Sequence, residues 1–122
     1  MADKKNFDLE NRLINFAVEV SNLAEKLPVS RTGNYIGGQI IRSGTAPALI
    51  YGEAQSAESR KDFIHKMKLS LKELRETFIS LKIIKRKPLV RQFEKVDFLL
   101  NECNELISIF VSSIKTAAER SR

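Results

Sequence analysis

At 122 residues the chain is long enough to bury one hydrophobic core and fits a single domain. The 43% hydrophobic and 30% charged residues are values of globular proteins, which excludes a disordered or fibrous chain. The formal net charge of +6 comes from uneven basic clusters that can attract phosphate backbones; a solvated, lysine-rich surface is the alternative.

The first predicted helix covers about residues 8–27 and ends at Pro28. Its apolar residues recur at intervals of four and three, which is the pattern of a bundle seam. These residues are Leu9, Leu13, Phe16, Val20, Leu23 and Leu27. No apolar signal segment precedes them, and no run in the chain approaches the roughly 20 apolar residues that span a bilayer. We therefore expect a cytoplasmic protein.

The second predicted helix covers about residues 32–56, with Ser30 or Thr32 as its cap. Small residues such as Gly44 would let a neighbouring helix approach closely, and Pro47 should bend the helix because it lacks an amide donor. Glu53 follows Gln39 by nearly four turns, so both lie on one face. We expect Glu53 to be paired beside the core seam; exposure at a helix boundary is the alternative.

The third predicted helix covers about residues 59–86, with Ser59 and Asp62 forming a cap like a capping box. Lys72 and Glu76 are spaced i,i+4 and are predicted to pair. The fourth predicted helix covers about residues 89–118, with Pro88 next to its first turn. Its predicted inward residues are Phe93, Val96, Leu100, Cys103, Ile107, Phe110, Ile114 and Ala117.

Four helices joined by short turns predict an all-α, single-domain protein that folds as an antiparallel up-down-up-down four-helix bundle over residues 1–122. The third and fourth helices are apolar over more than one face. Self-association would cover the extra apolar surface, and a wide core in a compact monomer is the alternative.

Catalytic and metal-binding patterns are missing from the sequence. His65 is the only histidine, and Asp62-x-x-His65 is only half of what a di-iron bundle needs, which is two Glu-x-x-His pairs and further carboxylates. No glycine-rich phosphate loop ends in Lys-Ser or Lys-Thr. Cys103, the only cysteine, lies beside Glu102 and Glu105, whereas a reactive thiol needs an electropositive setting. We expect a non-enzymatic protein with no catalytic residue, metal or cofactor.

Basic residues cluster at both ends of the third helix, and part of the second cluster has a structural explanation because cations suit a helix C-terminus. We take nine of them as candidate nucleic-acid-binding residues: Arg60, Lys61, Lys66, Lys68, Lys82, Lys85, Arg86, Lys87 and Arg91. Few exposed aromatic residues are expected for base stacking, which predicts little sequence specificity.

Four segments together resemble the 23S ribosomal RNA intervening-sequence proteins: RSGT at 42–45, GEAQSAES at 52–59, KDFIHKM at 61–67 and LKELRET at 71–77. The resemblance covers essentially the whole chain and implies an antiparallel four-helix bundle that assembles as a homo-oligomer, with a pentamer favoured. A related protein, the accessory protein of diversity-generating retroelements, binds reverse transcriptase and nucleic acid through a basic surface.

Matching polar residues imply a structural network between helices or subunits. The candidates are Gln39, Arg42, Glu53, Lys72, Glu73 and Glu76. The chain departs from the family pattern at Ala46 and Pro47, which replace a usual Ser-Ile pair, and at Ile50, which replaces a usual Asn. The function hypothesis is an oligomeric accessory module that binds RNA or DNA through basic patches. The alternative is a scaffold that docks a protein partner through the bent second helix or the apolar flank of the fourth.

Overall fold

A computed structural model describes the backbone of residues 4–91 and 93–120, and the side-chain surroundings of residues 8–91 and 93–120. The helices are α1 (Lys4–Glu25), α2 (Arg31–Ala54), α3 (Arg60–Arg86) and α4 (Phe93–Arg120). The part of the chain that is described contains no strand, so the prediction of an all-α fold is confirmed. None of its helices is both long and apolar enough to cross a lipid bilayer.

Each helix packs against its neighbours in the sequence, and α1 also packs against α4, less extensively than the other pairs. The diagonal pairs are not packed side by side. This is the order of an antiparallel up-down-up-down bundle. The α1–α2 and α3–α4 connections therefore lie at one end of the bundle, and the α2–α3 connection lies at the other.

Two serine caps begin the central helices as predicted. The Ser30 hydroxyl accepts a hydrogen bond from the Gly33 amide at 3.0 Å, and the Ser59 hydroxyl accepts one from the Asp62 amide at the same distance. Each serine satisfies an amide that has no carbonyl partner within its helix. Of the two candidate caps for α2, the structure therefore selects Ser30.

The fourth helix begins at Phe93, later than the predicted start near Leu89. The amide of Leu89 donates to the Ile84 carbonyl at 2.9 Å, which folds the backbone around Pro88 and closes α3. Pro88 therefore lies between the helices and not in the first turn of α4. Phe93, predicted to point inward, is 42% exposed at the start of its helix.

The core runs between all four helices, and the six seam residues predicted for α1 are all buried in it. Tyr51 of α2 and Phe110 of α4 meet edge-to-face, with ring centroids 6.0 Å apart. Pro47 is buried inside α2, and Gly44 lies against Val20 of α1. The small residues of α2 thus bring α1 and α2 close together, as predicted.

Candidate functional site

The outer surface of α3 carries cations at a regular spacing. Lys61, Lys68, Arg75 and Lys82 follow one another at intervals of seven residues, which places them on one face of the helix. Lys72 and Arg86 each lie four residues from a member of this set and extend it. We call these six residues the α3 stripe. All six are exposed, and none forms an ion pair within the part of the chain that the structure describes.

The stripe borders α4. A cleft of about 540 Å³ between the two helices is lined by Lys82 and Arg86 of the stripe, by Lys85, and by Phe93 and Leu100. The Lys82 ammonium lies 4.7 Å from the centre of the Phe78 ring, and this cation–π contact holds its aliphatic stem against the bundle.

The neighbouring face of α4 offers little negative charge. Asp97 is bonded to Lys85 at 2.6 Å, so these two charges neutralise each other. Asn101, Asn104 and Ser108 follow Asp97 at helical spacing, and all three are exposed and uncharged. Glu94, one turn before Asp97, is the exposed carboxylate beside these residues, so α4 compensates little of the positive charge of the α3 stripe.

Acidic residues are instead occupied on the side of α3 that faces α2. The Arg42 guanidinium donates to both carboxylate oxygens of Glu73, at 2.7 and 3.0 Å, and to Glu76 and the Gln39 amide oxygen. The hydrogen bonds to Glu76 and Glu73 raise the pKa of Arg42 above its ordinary value. Four of the six residues proposed for the polar network meet here.

The other two members of the proposed network lie elsewhere. Glu53 is exposed one residue before the end of α2, which is the alternative that the sequence left open. It pairs with Lys66 of α3, with 3.8 Å between the ammonium nitrogen and a carboxylate oxygen, outside the Arg42 cluster. Lys72 belongs to the exposed α3 stripe. Glu76, its predicted partner four residues along the helix, is bonded to Arg42 instead.

A second set of ion pairs joins α1 to α4. Arg12 donates to both carboxylate oxygens of Glu102, at 2.6 and 3.1 Å, and lies 3.5 Å from Glu105. The hydrogen bond to Glu102 raises the pKa of Arg12. Lys95 pairs with Glu19 in the same seam. Acidic side chains thus form ion pairs at the α2–α3 and α1–α4 contacts, and none of the ion pairs seen in the described ranges involves the α3 stripe.

The nine basic residues predicted from the sequence divide into three groups. Lys61, Lys68, Lys82 and Arg86 belong to the α3 stripe. Lys66 and Lys85 are engaged by Glu53 and Asp97. Arg60, Lys87 and Arg91 are exposed at the helix ends and in the α3–α4 connection. The prediction missed Arg75 entirely and assigned Lys72 to a different role; the seven-residue interval of the stripe was the signal that identifies Arg75.

Cys103 is buried, and its thiol donates to the Leu74 carbonyl at 3.2 Å. Burial, together with the charge of Glu102, raises the pKa of Cys103 from 9.0 to about 12. The thiol is thus protonated at neutral pH and belongs to the core. Within the described ranges, no group of three or more His, Cys, Asp or Glu side chains is arranged to hold a metal ion.

The family model of the 23S rRNA-intervening sequence protein matches residues 5–112. The chain belongs to the 23S rRNA-intervening sequence protein family. A crystal structure from Bacteroides thetaiotaomicron, of a protein with unknown function from the S23 ribosomal protein family, is similar to it, with 32% sequence identity and a TM-score of 0.82. The similarity covers 91% of this chain and 98% of that chain. A comparison with curated proteins gave no match.

Membership in the 23S rRNA-intervening sequence protein family confirms the resemblance predicted from the four segments at 42–45, 52–59, 61–67 and 71–77. Two of these segments lie in α3, the helix that carries the basic stripe. In this member of the family, α3 therefore combines inward residues that build the bundle with outward residues that form the candidate binding surface.

Proposed function

We propose that this protein is a non-enzymatic nucleic-acid-binding module that contacts phosphate backbones through the α3 stripe. The observation that carries the proposal is the repetition of exposed cations every seven residues, at Lys61, Lys68, Arg75 and Lys82, none of which has an ion-pair partner among the described residues. A solvated surface helix usually mixes both signs of charge on its outer face. Here one sign continues along almost the full length of α3.

The length of the stripe fits a nucleic-acid backbone. From Lys61 to Arg86 the helix rises about 38 Å, at about 1.5 Å per residue. One turn of a DNA duplex is about 34–36 Å long. A row of charges of this length can follow phosphates across roughly one turn, without contacts to base edges. Such binding is strong at low salt and carries little sequence information.

RNA is the first ligand to test, because the family description refers to an intervening sequence of 23S rRNA. Lysine and arginine bind the phosphates of either nucleic acid, so a DNA duplex forms the second arm of the experiment. The predicted protein scaffold remains the competing function, and failure of the α3 variants to change nucleic-acid binding would favour it.

The test compares Arg75→Gln with Arg31→Gln by fluorescence anisotropy on a hairpin RNA and on a DNA duplex, from about 50 to about 200 mM salt. Each variant removes one positive charge, but Arg31 lies at the first residue of α2, exposed and outside the stripe. The slope of log K against log salt is negative, and we expect Arg75→Gln to make it less steep by about one. Arg31→Gln should leave the slope nearly unchanged. Equal effects of the two variants, or no binding of wild type at the lowest salt, would refute the proposal.

A homo-oligomer is a second proposal, and the exposed apolar residues of α1 and α2 support it. Ile14 and Val18 lie one turn apart on α1, and Ile41 and Leu49 lie on α2; Leu49 is 70% exposed. Contact between copies would remove these side chains from water and would repeat the α3 stripe around the assembly. Light scattering should give a mass well above the 13.9 kDa of one chain, and Leu49→Lys should lower it. A single species of 13.9 kDa in the wild type would exclude the oligomer.

A further inference from the structure

The end of the bundle that carries the α3–α4 connection has two exposed aromatic rings, and one of them, Phe93, was predicted to point inward. Phe93 is 42% exposed and Phe98 is 57% exposed, both in the first turns of α4. The Lys95 ammonium lies 5.8 Å from the centre of the Phe98 ring. Exposed phenyl rings next to cations are the elements from which proteins build stacking surfaces for unpaired bases.

Phe93 borders three clefts. The largest, of about 810 Å³, lies between the end of α1 and the α3–α4 connection, and Leu23, Leu89 and Val90 contribute apolar walls to it. The second, of about 620 Å³, joins Phe93 to Phe98. The third, of about 540 Å³, lies against α3. A planar base has room beside this ring on either side of α4.

The charge around the three clefts is predominantly positive. Their lining includes the cations Lys26, Lys82, Lys85, Arg86, Arg91 and Lys95, and Glu94 is their only acidic residue. Asp97 and Glu19 engage Lys85 and Lys95. The other four cations have no ion-pair partner among residues 8–91 and 93–120. An apolar floor with a cationic rim complements a base attached to a phosphate.

We propose that Phe93 and the clefts around it form a subsite for an unpaired base of a single-stranded nucleic-acid segment. The subsite rests on the proposed function, because Lys82 and Arg86 belong both to the α3 stripe and to the cleft beside Phe93. A backbone held along α3 would reach this end of the bundle and place its next base against the ring. The ligand class is therefore nucleic acid in which a paired or phosphate-bound segment continues into unpaired bases.

Tryptophan fluorescence tests this subsite directly, because the chain contains no tryptophan. Phe93→Trp places the only indole in the subsite. Tyr35→Trp is the matched control, since Tyr35 is an exposed aromatic residue on α2 that lines none of the three clefts. The ligands are single strands of about 12 nucleotides, as RNA, as DNA, and as an abasic strand of equal charge. Circular dichroism establishes that each variant is folded.

We expect base-bearing strands to quench Phe93→Trp and the abasic strand to leave it unchanged, while Tyr35→Trp responds to neither. Phe93→Leu, which keeps an apolar side chain, should weaken binding of the base-bearing strands about fivefold or more and leave binding of the abasic strand unaltered. The RNA and DNA arms show whether the sugar matters.

The subsite is refuted if Phe93→Trp is not quenched, if Tyr35→Trp is quenched equally, or if Phe93→Leu binds base-bearing strands like wild type. Failure of the subsite alone leaves duplex binding and its dependence on Arg75 intact. Failure of the proposed function removes binding of duplex, base-bearing and abasic strands together, so the two failures are distinguishable.

Discussion

Val20 of α1 and Gly44 of α2 lie so close that a Cβ atom at position 44 would be 2.5 Å from the Val20 Cγ1 atom. Both residues are buried, and the β-branched valine has little freedom to rotate away. We expect Gly44→Ala to lower the free energy of unfolding by about 1–3 kcal/mol, as overpacking does in other cores. Urea denaturation followed by circular dichroism measures the loss.

The matched control for this variant is Gly38→Ala in the same helix, where an added Cβ atom meets nothing within 4 Å. Replacing this glycine should raise stability by up to about 1 kcal/mol, because alanine favours a helix. Both variants are compared at low protein concentration. In a Val20→Ala background, Gly44→Ala should lower the free energy of unfolding much less than it does in the wild type. An unchanged or higher stability of Gly44→Ala alone would contradict the close contact.

Removing either of two buried hydroxyl groups of α3, those of Thr77 and Ser70, should have opposite effects on the free energy of unfolding. Thr77 lies 2.9 Å from the Ser43 hydroxyl, whereas the Ser70 hydroxyl has no hydrogen-bond partner in the structure. Thr77→Val should cost about 1–3 kcal/mol of unfolding free energy, because it leaves Ser43 buried without its partner. Ser70→Ala should be neutral or stabilising, because it removes an unsatisfied polar group.

Thermal and urea denaturation of the two single variants check this pair of predictions. The double variant Ser43→Ala with Thr77→Val removes both members of the bonded pair and should recover much of the loss. Equal destabilisation by Thr77→Val and Ser70→Ala would mean that the Ser43–Thr77 bond does not distinguish the two positions.

Cys103 predicts a loss of stability at alkaline pH. Its pKa is raised from 9.0 to about 12 in the folded protein, so between these values the native state keeps a proton that the unfolded chain releases. Stability from this group is fully present below about pH 9 and decreases above it, by up to about 1.4 kcal/mol per pH unit. The advantage of wild type over Cys103→Ala should therefore shrink as the pH rises from about 8 to about 10.5.

Urea denaturation in the presence of a reductant gives this comparison, since the other titrating groups act equally in both proteins. The same raised pKa predicts that a thiol-reactive reagent labels native Cys103 far more slowly than the unfolded chain at about pH 8. Parallel stability curves for the two proteins, or rapid labelling of the folded protein, would contradict it.

Helices α1 and α4 form the least extensive helix–helix contact of the bundle. Arg12 stabilises this contact through its two hydrogen bonds to Glu102. Arg12→Gln should cost about 1 kcal/mol, because it removes a two-pronged ion pair and leaves Glu102 and Glu105 to repel each other. The loss should decrease in high salt. Arg31→Gln, which removes an exposed cation that forms no ion pair in the described part of the chain, is the control and should change stability little.

Chemical denaturation at low and at high salt measures both variants. Glu102→Gln introduced into Arg12→Gln should restore part of the lost stability, because it reduces the repulsion on α4. If Arg12→Gln and Arg31→Gln lowered the free energy of unfolding equally at low salt, the Arg12–Glu102 ion pair would not stabilise the α1–α4 contact.

Much of the fold follows from local patterns in the sequence. The seam of α1 repeats at intervals of four and three without interruption, and all six of its residues are buried. Ser30 and Ser59 cap their helices because the first turn of each helix has amides without carbonyl partners. The start of α4 was not predictable in the same way, because it depends on how the Leu89 amide closes the end of α3. That closure also leaves Phe93 at the rim of the core.

The candidate site was predictable only in part, since pairing between helices depends on their register. In the sequence Lys66 is spaced i,i+4 from Asp62 and Lys85 looks like a free cation, yet Glu53 and Asp97 of neighbouring helices engage them. Conversely, local spacing assigns Lys72 to Glu76, whereas Arg42 of α2 occupies Glu76. The spacing of the stripe is readable from the sequence, but only the packed bundle shows which cations of α3 form ion pairs with a neighbouring helix.

The separation of the α3 stripe from the core has an evolutionary consequence. Lys61, Lys68, Arg75 and Lys82 are exposed, and substitutions at such positions usually change stability by no more than about 0.5 kcal/mol. Homologues can therefore gain or lose charge there one residue at a time while the bundle stays folded. A family member that shares the buried residues but lacks these cations at seven-residue intervals should keep the four-helix fold. Under the proposed function, it should bind a different ligand.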